Sequence, residues 1–174
     1  MLLACFFTTA SINAQGLQSE VDLGLDKIQS LERAISLLDE EHCEVPCGIY
    51  GDSLRLSLLE EHAKTVEKGM AQISGLSKAD QPNYNQIVRW VMNKEKHAEE
   101  IQQIVSQYFL HQRIKMPADD AKRKAVDDYH DKLEALHAIQ VYAMKCKQGT
   151  DSAMVEKLQA AIHDFGHLYF GDHH

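Results

Sequence analysis

Nine consecutive residues, His42-Cys43-Glu44-Val45-Pro46-Cys47-Gly48-Ile49-Tyr50, place two thiols, an imidazole, a proline and a glycine in a stretch that follows no helical pattern. Thiolates and nitrogen donors are soft to borderline ligands, and two sulfurs with two nitrogens in a plane suit a tetragonal Ni(II) or Cu(II) ion rather than Mg or Ca. The three residues between Cys43 and Cys47 let the chain loop back on itself. A proteolytic cut between Glu41 and His42 would expose an α-amine. That amine and the Cys43 amide nitrogen would close one chelate ring, and the Cys43 nitrogen and sulfur a second. Cys47 would complete the square, with the His42 imidazole placed for an axial position. Zinc prefers a tetrahedral set, and no second ligand pair accompanies these cysteines. Three plainer readings use the same residues: a Cys43–Cys47 disulfide in an exported loop, two buried cysteines, or a chance cluster beside a turn at Pro46-Cys47-Gly48. A thiol redox motif fits less well, because the spacing is Cys-x-x-x-Cys and no βαβ pattern surrounds it.

The remaining chemistry-bearing residues are scattered. His163 and His167 stand four apart in a helical stretch and, with His173-His174, could chelate a metal; without a carboxylate motif around them, a solvated polar face is the plainer reading. Cys146 reads as a small buried residue, and His62, His111, His130 and His137 show no arrangement of a catalytic triad. Four cysteines, one of them Cys5 in the N-terminal apolar run, exclude a disulfide-rich scaffold. The net charge is -8, with Lys and Arg interspersed among acids, so there is no cationic footprint for phosphates and nucleic acid is excluded as a partner. Much of the imbalance is N-terminal: residues 1–41 hold seven of the 26 acids and two of the 18 bases.

The elements that would position the nine-residue segment follow from periodicity. The 174 residues fit one ordinary domain plus a leader. Residues 1–14 read as the apolar core and cleavage region of a signal peptide, without a charged n-region, which implies export to a periplasmic or extracellular space; otherwise the protein is cytoplasmic. Residues 15–41 read as a helical pro-segment, with Val21, Leu25, Ile28, Leu31, Ile35 and Leu38 on one stripe. In residues 51–174, Pro82, Pro117 and Gly149-Thr150-Asp151 separate four amphipathic segments. Their stripes are Leu56, Leu59, Ala63, Val66, Met70, Ile73; Ile87, Val91, Ala98, Ile101, Val105, Tyr108, interrupted by Lys94; Val126, Tyr129, Leu133, Leu136, Gln140, Ala143; and Val155, Leu158, Ile162, Phe165, Tyr169. Asp52-Ser53 offers an N-cap oxygen to the first of these helices. Nothing alternates with period two, which predicts an all-α fold, an antiparallel up-down-up-down four-helix bundle. No stretch approaches the ~20 apolar residues of a membrane-spanning helix.

His42-Cys43-x-x-Pro46-Cys47-Gly48-x-Tyr50 resembles the N-terminal nickel hook of nickel-containing superoxide dismutases. The resemblance runs over residues 42–174, with the Lys94-Glu95 and Tyr108-Phe109 pairs similar to landmarks of that family's second helix. It implies a hook at 42–50 ahead of the bundle at 51–174, and one nickel per subunit. The implied ligands are the His42 amine and imidazole, the Cys43 amide nitrogen and thiolate, and the Cys47 thiolate. Two thiolates and an amide nitrogen would bring a Ni(II)/Ni(III) couple into the range needed to disproportionate superoxide to dioxygen and hydrogen peroxide. Tyr50 and Tyr108 would order water or peroxide, while Arg89, or a lysine such as Lys94, would draw in the anion. His97 stands where some members carry another arginine, and the glutamate that would support the axial imidazole has no counterpart, its aligned position being Leu58. The resemblance further implies a maturation protease cutting before His42 and a homohexamer. A different class of protein, a non-catalytic nickel or copper binder, would use the same hook.

Overall fold

In the computed structural model the described residues are 16, 18, 20–32 and 46–171, and the chain divides into two compact units, Met1–His42 and Cys43–His174. In the first unit residues 20–32 are helical, as the spacing of Val21, Leu25, Ile28 and Leu31 predicts; Ile35, Leu38 and the expected signal peptide lie outside the described residues.

In the second unit every regular element is helical, and no strand occurs among the described residues. Helix α1 spans Asp52–Ser77 and α2 spans Tyr84–Gln103; α2 runs on directly into a π-helical segment, Ile104–Arg113. Helix α3 covers Arg123–Gln148 and α4 covers Ser152–Phe170. The Asn83 side chain caps α2 by accepting from the Gln86 N–H, and Asp151 caps α4 by accepting from the Ala153 N–H. Both satisfy amides that have no partner inside the helix. Helix α3 starts at Arg123, shortly before Val126, the first residue of its stripe, and not directly after Pro117. Residues 118–121 instead form a turn closed by the Ala121 N–H on the Ala118 carbonyl, in keeping with the turn preference of Pro117 and Asp119-Asp120.

All six stripe residues of α1 are buried, as are Val155, Leu158, Ile162 and Phe165 of α4. In α3 the core takes Leu136, Ile139, Ala143 and Cys146; Ile139, not Gln140, faces inward. Gln140 instead donates to the Gln102 carbonyl at 2.9 Å, and Gln102 donates to the Gln140 carbonyl at 3.3 Å, so two half-buried amides satisfy each other across α2 and α3. Helix α1 packs on α2 and α4, and α3 packs on the same two. The glycine at 166 is a packing requirement: a Cβ there would stand 2.9 Å from the Leu56 side chain.

Lys94, the charged interruption of the α2 stripe, is only 3% exposed. Its ammonium donates to the carbonyls of Cys146 at 2.7 Å, Lys147 at 2.6 Å and Gly149 at 3.3 Å, and pairs with Glu95 at 3.0 Å. The last carbonyls of a helix lack intrahelical partners and carry the negative end of its dipole, and an ammonium has three donors to offer. Lys94 is thus the C-terminal cap of α3.

Candidate metal centre

The expected site is built on the segment that enters α1. His42 and Cys43, two of the three expected ligand residues, lie outside the described residues. Cys47 is exposed, in a turn closed by the Ile49 N–H donating to the Pro46 carbonyl at 3.4 Å. Gly48 holds φ at +75°, the left-handed value that the third position of such a turn demands and that a residue with a Cβ reaches at a cost of about 1–2 kcal/mol. The Cys47-Gly48 pair therefore reverses the chain directly beside the sulfur.

Three residues later the chain is fastened. The N-cap of α1 is Gly51, which makes no side-chain cap bond, and Asp52 is the first helical residue. Its carboxylate does not cap the helix, as the sequence suggested, but reaches across to three other side chains. Oδ1 accepts from the Tyr108 hydroxyl at 2.5 Å and from Arg113 Nε at 2.9 Å; Oδ2 accepts from Arg113 at 2.6 Å and from the Tyr169 hydroxyl at 2.8 Å. The Tyr108 hydroxyl also accepts from the Gly51 N–H at 2.8 Å. A carboxylate in the first turn of a helix is favoured by the helix dipole as well.

The π register explains how Tyr108 and Arg113 reach one carboxylate. In an α-helix residues five apart diverge around the axis, whereas i to i+5 hydrogen bonding brings them onto one side. The same spacing recurs where the Ile114 N–H donates to the Phe109 carbonyl at 2.8 Å and the Gln112 side chain donates to the Gln107 carbonyl at 2.9 Å.

Burial raises the Asp52 carboxyl, but the hydrogen bonds from Arg113, Tyr108 and Tyr169 outweigh it and hold the group below the ordinary carboxylate range. Reciprocally, the bond to Asp52 raises Arg113. Burial, then the bond to Asp52, raises Tyr108, and the same two causes push Tyr169 up to about 12. Both phenols are neutral donors at ordinary pH.

Tyr50 is 40% exposed. Its ring meets Tyr108 edge-on at 6.0 Å, and the Arg113 guanidinium lies 4.3 Å from its centre. Tyr108 continues edge-to-face into Phe109 at 5.1 Å, and Phe109 into Phe165 at 4.9 Å and Tyr169 at 5.4 Å. Such T-shaped pairs are the favoured aromatic geometry. A continuous aromatic platform therefore backs the segment that enters α1.

The structure thus brings Tyr50 and Tyr108 together beside the Cys47 turn, with Tyr108 only 2% exposed and its hydroxyl engaged by Asp52 and Gly51. Arg89 is not part of this cluster. It lies exposed on α2 in a groove with Gln86, Trp90, Met92 and Asn93. The adjoining Trp90 and Lys94 lie against Gly69 of α1, seventeen residues or about 26 Å along the helix from Asp52. Lys94 is occupied with capping α3. Arg113 and Arg55, whose guanidinium lies 5.0 Å from the Tyr108 ring centre, are the cations of the platform, and the sequence reading passed over both. His62, for which the sequence shows no catalytic arrangement, meets His97 through Nδ1 atoms 2.8 Å apart. Burial, and then the neighbouring His97, lower His62. Leu58 is partly buried against the core.

Residues 37–173 match the nickel-containing superoxide dismutase family. The chain belongs to that family. It is therefore a nickel-dependent superoxide dismutase, an oxidoreductase that takes superoxide as substrate and nickel as cofactor. Neither the curated proteins nor the solved structures include a match. Nickel fits the chemistry of the donors the sequence offers here, the exposed Cys47 with Cys43 and His42, since thiolates and nitrogen donors suit a tetragonal late metal. Among the described residues, which leave out His42 and Cys43, no group of three His, Cys, Asp or Glu side chains could hold a metal ion. No described helix is long and apolar enough to cross a membrane.

Proposed function

We propose that this superoxide dismutase matures by a cut between Glu41 and His42. One nickel is then held by the His42 amine and imidazole, the Cys43 amide nitrogen and thiolate, and the Cys47 thiolate. The division of the chain into compact units at His42/Cys43 supports a boundary within one residue of that cut. When bound, nickel supplies the one-electron couple by which two superoxide ions and two protons become one dioxygen and one hydrogen peroxide. The chain's own residues aim and shelter the hook. The Pro46–Ile49 turn sets Cys47, the Asp52 cluster clamps the hook's end, and Tyr50, partly exposed beside Arg113, orders water or peroxide at the open face. Tyr108 acts as a positioning residue, since its proton is committed to Asp52.

The four helices form the antiparallel up-down-up-down bundle, on which the pairings of α1 with α2 and α4, and of α3 with the same two, bear. Arg55 adds positive field near Tyr108. Arg89, exposed on α2 and apart from the Asp52 cluster, steers superoxide through assembly with another copy, in line with the hexamer. The leader at 1–14 directs export, and the pro-segment at 15–41 is removed by the cut before His42.

The observation that carries this reading is the exposed Cys47 in a glycine-dependent turn, five residues ahead of a carboxylate bound by three side chains. Its test is the N-terminal sequence, metal content and superoxide turnover of the native protein alongside Cys47→Ser. The expected result is a chain beginning at His42 with one nickel, and loss of nickel and turnover together in the variant. A turnover-competent chain beginning upstream, or nickel without turnover in the native protein, overturns it.

A further inference from the structure

The last two turns of α4 carry a feature that the hook does not use. His163 and His167 are one helical turn apart, and their Nε2 atoms face each other at 3.2 Å, with ring centres 4.4 Å apart. His163 leaves 69% of its side chain exposed, so the pair is open to solvent. His163 is exposed and His167 half-buried at the helix surface, so they gain little from a mutual hydrogen bond where water can reach the nitrogens. Convergent imidazole nitrogens are, however, a chelating geometry. Two nitrogens 3.2 Å apart subtend about 100° at an ion held ~2.0–2.1 Å from each, an angle that tetrahedral and square arrangements both accept with small rotations. The Asp164 carboxylate lies 3.6 Å from His163 Nδ1, on the side of the ring away from the pair. A carboxylate behind a metal-binding imidazole strengthens it as a ligand.

We propose that His163 and His167 form a second metal site, a bidentate surface chelate for a late first-row divalent ion, Ni2+ or Cu2+ ahead of Zn2+ by the order of intrinsic affinities. Solvent completes the coordination shell, which makes the site labile. Its place in the fold suits a collecting role: Tyr169, two residues beyond His167, donates to Asp52 at the base of the hook. An ion held there is retained at the end of the domain where Cys47 stands. The site does not depend on the ligand assignment of the hook.

The test is equilibrium titration of the full chain with Cu2+ and, separately, Ni2+. Wild type is compared with His163→Ala, His163→Gln and His167→Ala, and with a His173→Ala/His174→Ala control. Superoxide turnover and helical circular dichroism are recorded throughout, and the Cu2+ complex is examined by electron paramagnetic resonance. Wild type and the control should bind one ion more than either single variant. The residual affinity of a lone imidazole should be weaker on the order of 100-fold, the advantage of a second donor already in place. The extra ion should show nitrogen coupling without thiolate absorption, and its binding should weaken as pH falls, because protons compete with the metal for imidazole nitrogen. Turnover should be unchanged in all variants once they are fully loaded. Equal stoichiometry and affinity in wild type and the single variants, with helix content intact, overturns the proposal, as does loss of the extra ion in the His173/His174 control. Loss of nickel from Cys47→Ser with the Cu2+ chelate intact separates a failure of the hook reading from a failure of this one.

Discussion

Replacing Asp52 by alanine should loosen the end of the hook and cost the fold measurably. The substitution removes the acceptor of four hydrogen bonds, two from Arg113 and one each from Tyr108 and Tyr169. Hydrogen bonds to a charged group are worth roughly 1.5–3 kcal/mol each, but simple addition overstates the loss. Side chains of Asp52 and Arg113 keep 18% and 27% of their exposure, so water can rescue part of the guanidinium, and the two phenols share one acceptor. Deleting one partner of a fully buried pair costs ~3–5 kcal/mol, and an exposed pair contributes ~0–1 kcal/mol. The partly buried cluster falls between these limits, at about 2–4 kcal/mol, or a fall in Tm of roughly 6–16 °C. Calorimetry on Asp52→Ala and Asp52→Asn measures it. The asparagine variant should lose less, since it keeps an oxygen for the phenols but not the charge for Arg113. Nickel affinity, read by competition with a chelating dye, should fall in parallel, because the chain enters the hook from this residue. A Tm within about 2 °C of wild type would show that the carboxylate is already served by solvent. A large loss of Tm with nickel affinity unchanged would show that the hook is positioned independently of the cluster. Either result refutes the fastening role.

Gly48→Ala places a Cβ at φ +75°, which should cost about 1–2 kcal/mol in the folded turn. It should lower nickel affinity about tenfold in the same competition assay, and unaltered affinity would mean that the turn relaxes without moving Cys47. Lys94→Met keeps the volume but leaves the Cys146, Lys147 and Gly149 carbonyls without their donor. Denaturant unfolding should report a loss of about 1–3 kcal/mol for each carbonyl that water cannot reach, and an unchanged midpoint would rule out the capping role. The pH dependence of Tm has two limbs. Tyr108 and Tyr169 are raised by folding, so their contribution is complete below pH ~10 and is lost as pH climbs through the folded value, about 12 for Tyr169. Asp52 is lowered by folding, so its contribution is complete above pH ~4 and is lost as pH falls through its folded value. Asp52→Ala should flatten both limbs relative to wild type, and unchanged limbs would exclude the cluster as their source.

Much of the helical architecture could be read directly from spacing. The 3-and-4 recurrence of Leu56, Leu59, Ala63, Val66, Met70 and Ile73 is the signature of one buried helix face, and every one of those residues is buried. The reading slipped where one position changes the phase. In α3, counting from Leu136 to Gln140 instead of to Ile139 puts a polar side chain on the core face. Both steps are legitimate helical spacings, and only packing against α2 selects between them. Lys94 looked like a blemish in a stripe, because the carbonyls that it caps lie more than fifty residues away and periodicity carries no long-range partner.

The site divides along the same line. The turn at Cys47-Gly48 and the place of Tyr50 beside it were legible because their signals are local: a proline, a left-handed glycine and an aromatic ring within five residues. Asp52 was legible only as a helix-start residue, since an aspartate at that position is adequately explained by the unpaired amides of the first turn. What recruits it is Arg113, and Arg113 comes within reach only because the helix after α2 widens to the π register and carries it onto the side of Tyr108. A sequence counted at 3.6 residues per turn places those two side chains on diverging faces. The cation chosen for its position in a similar family, Arg89, therefore stands apart from the Asp52 cluster, while the cation that touches Tyr50 was hidden by a change of helical pitch. The charge of Arg113 is consequently tied up by a carboxylate and an aromatic face, which favours rigidity there over a free attracting field. Under the ligand set proposed above, all donors come from one short stretch of chain that has little else to hold it in place, and rigidity at its end would serve it.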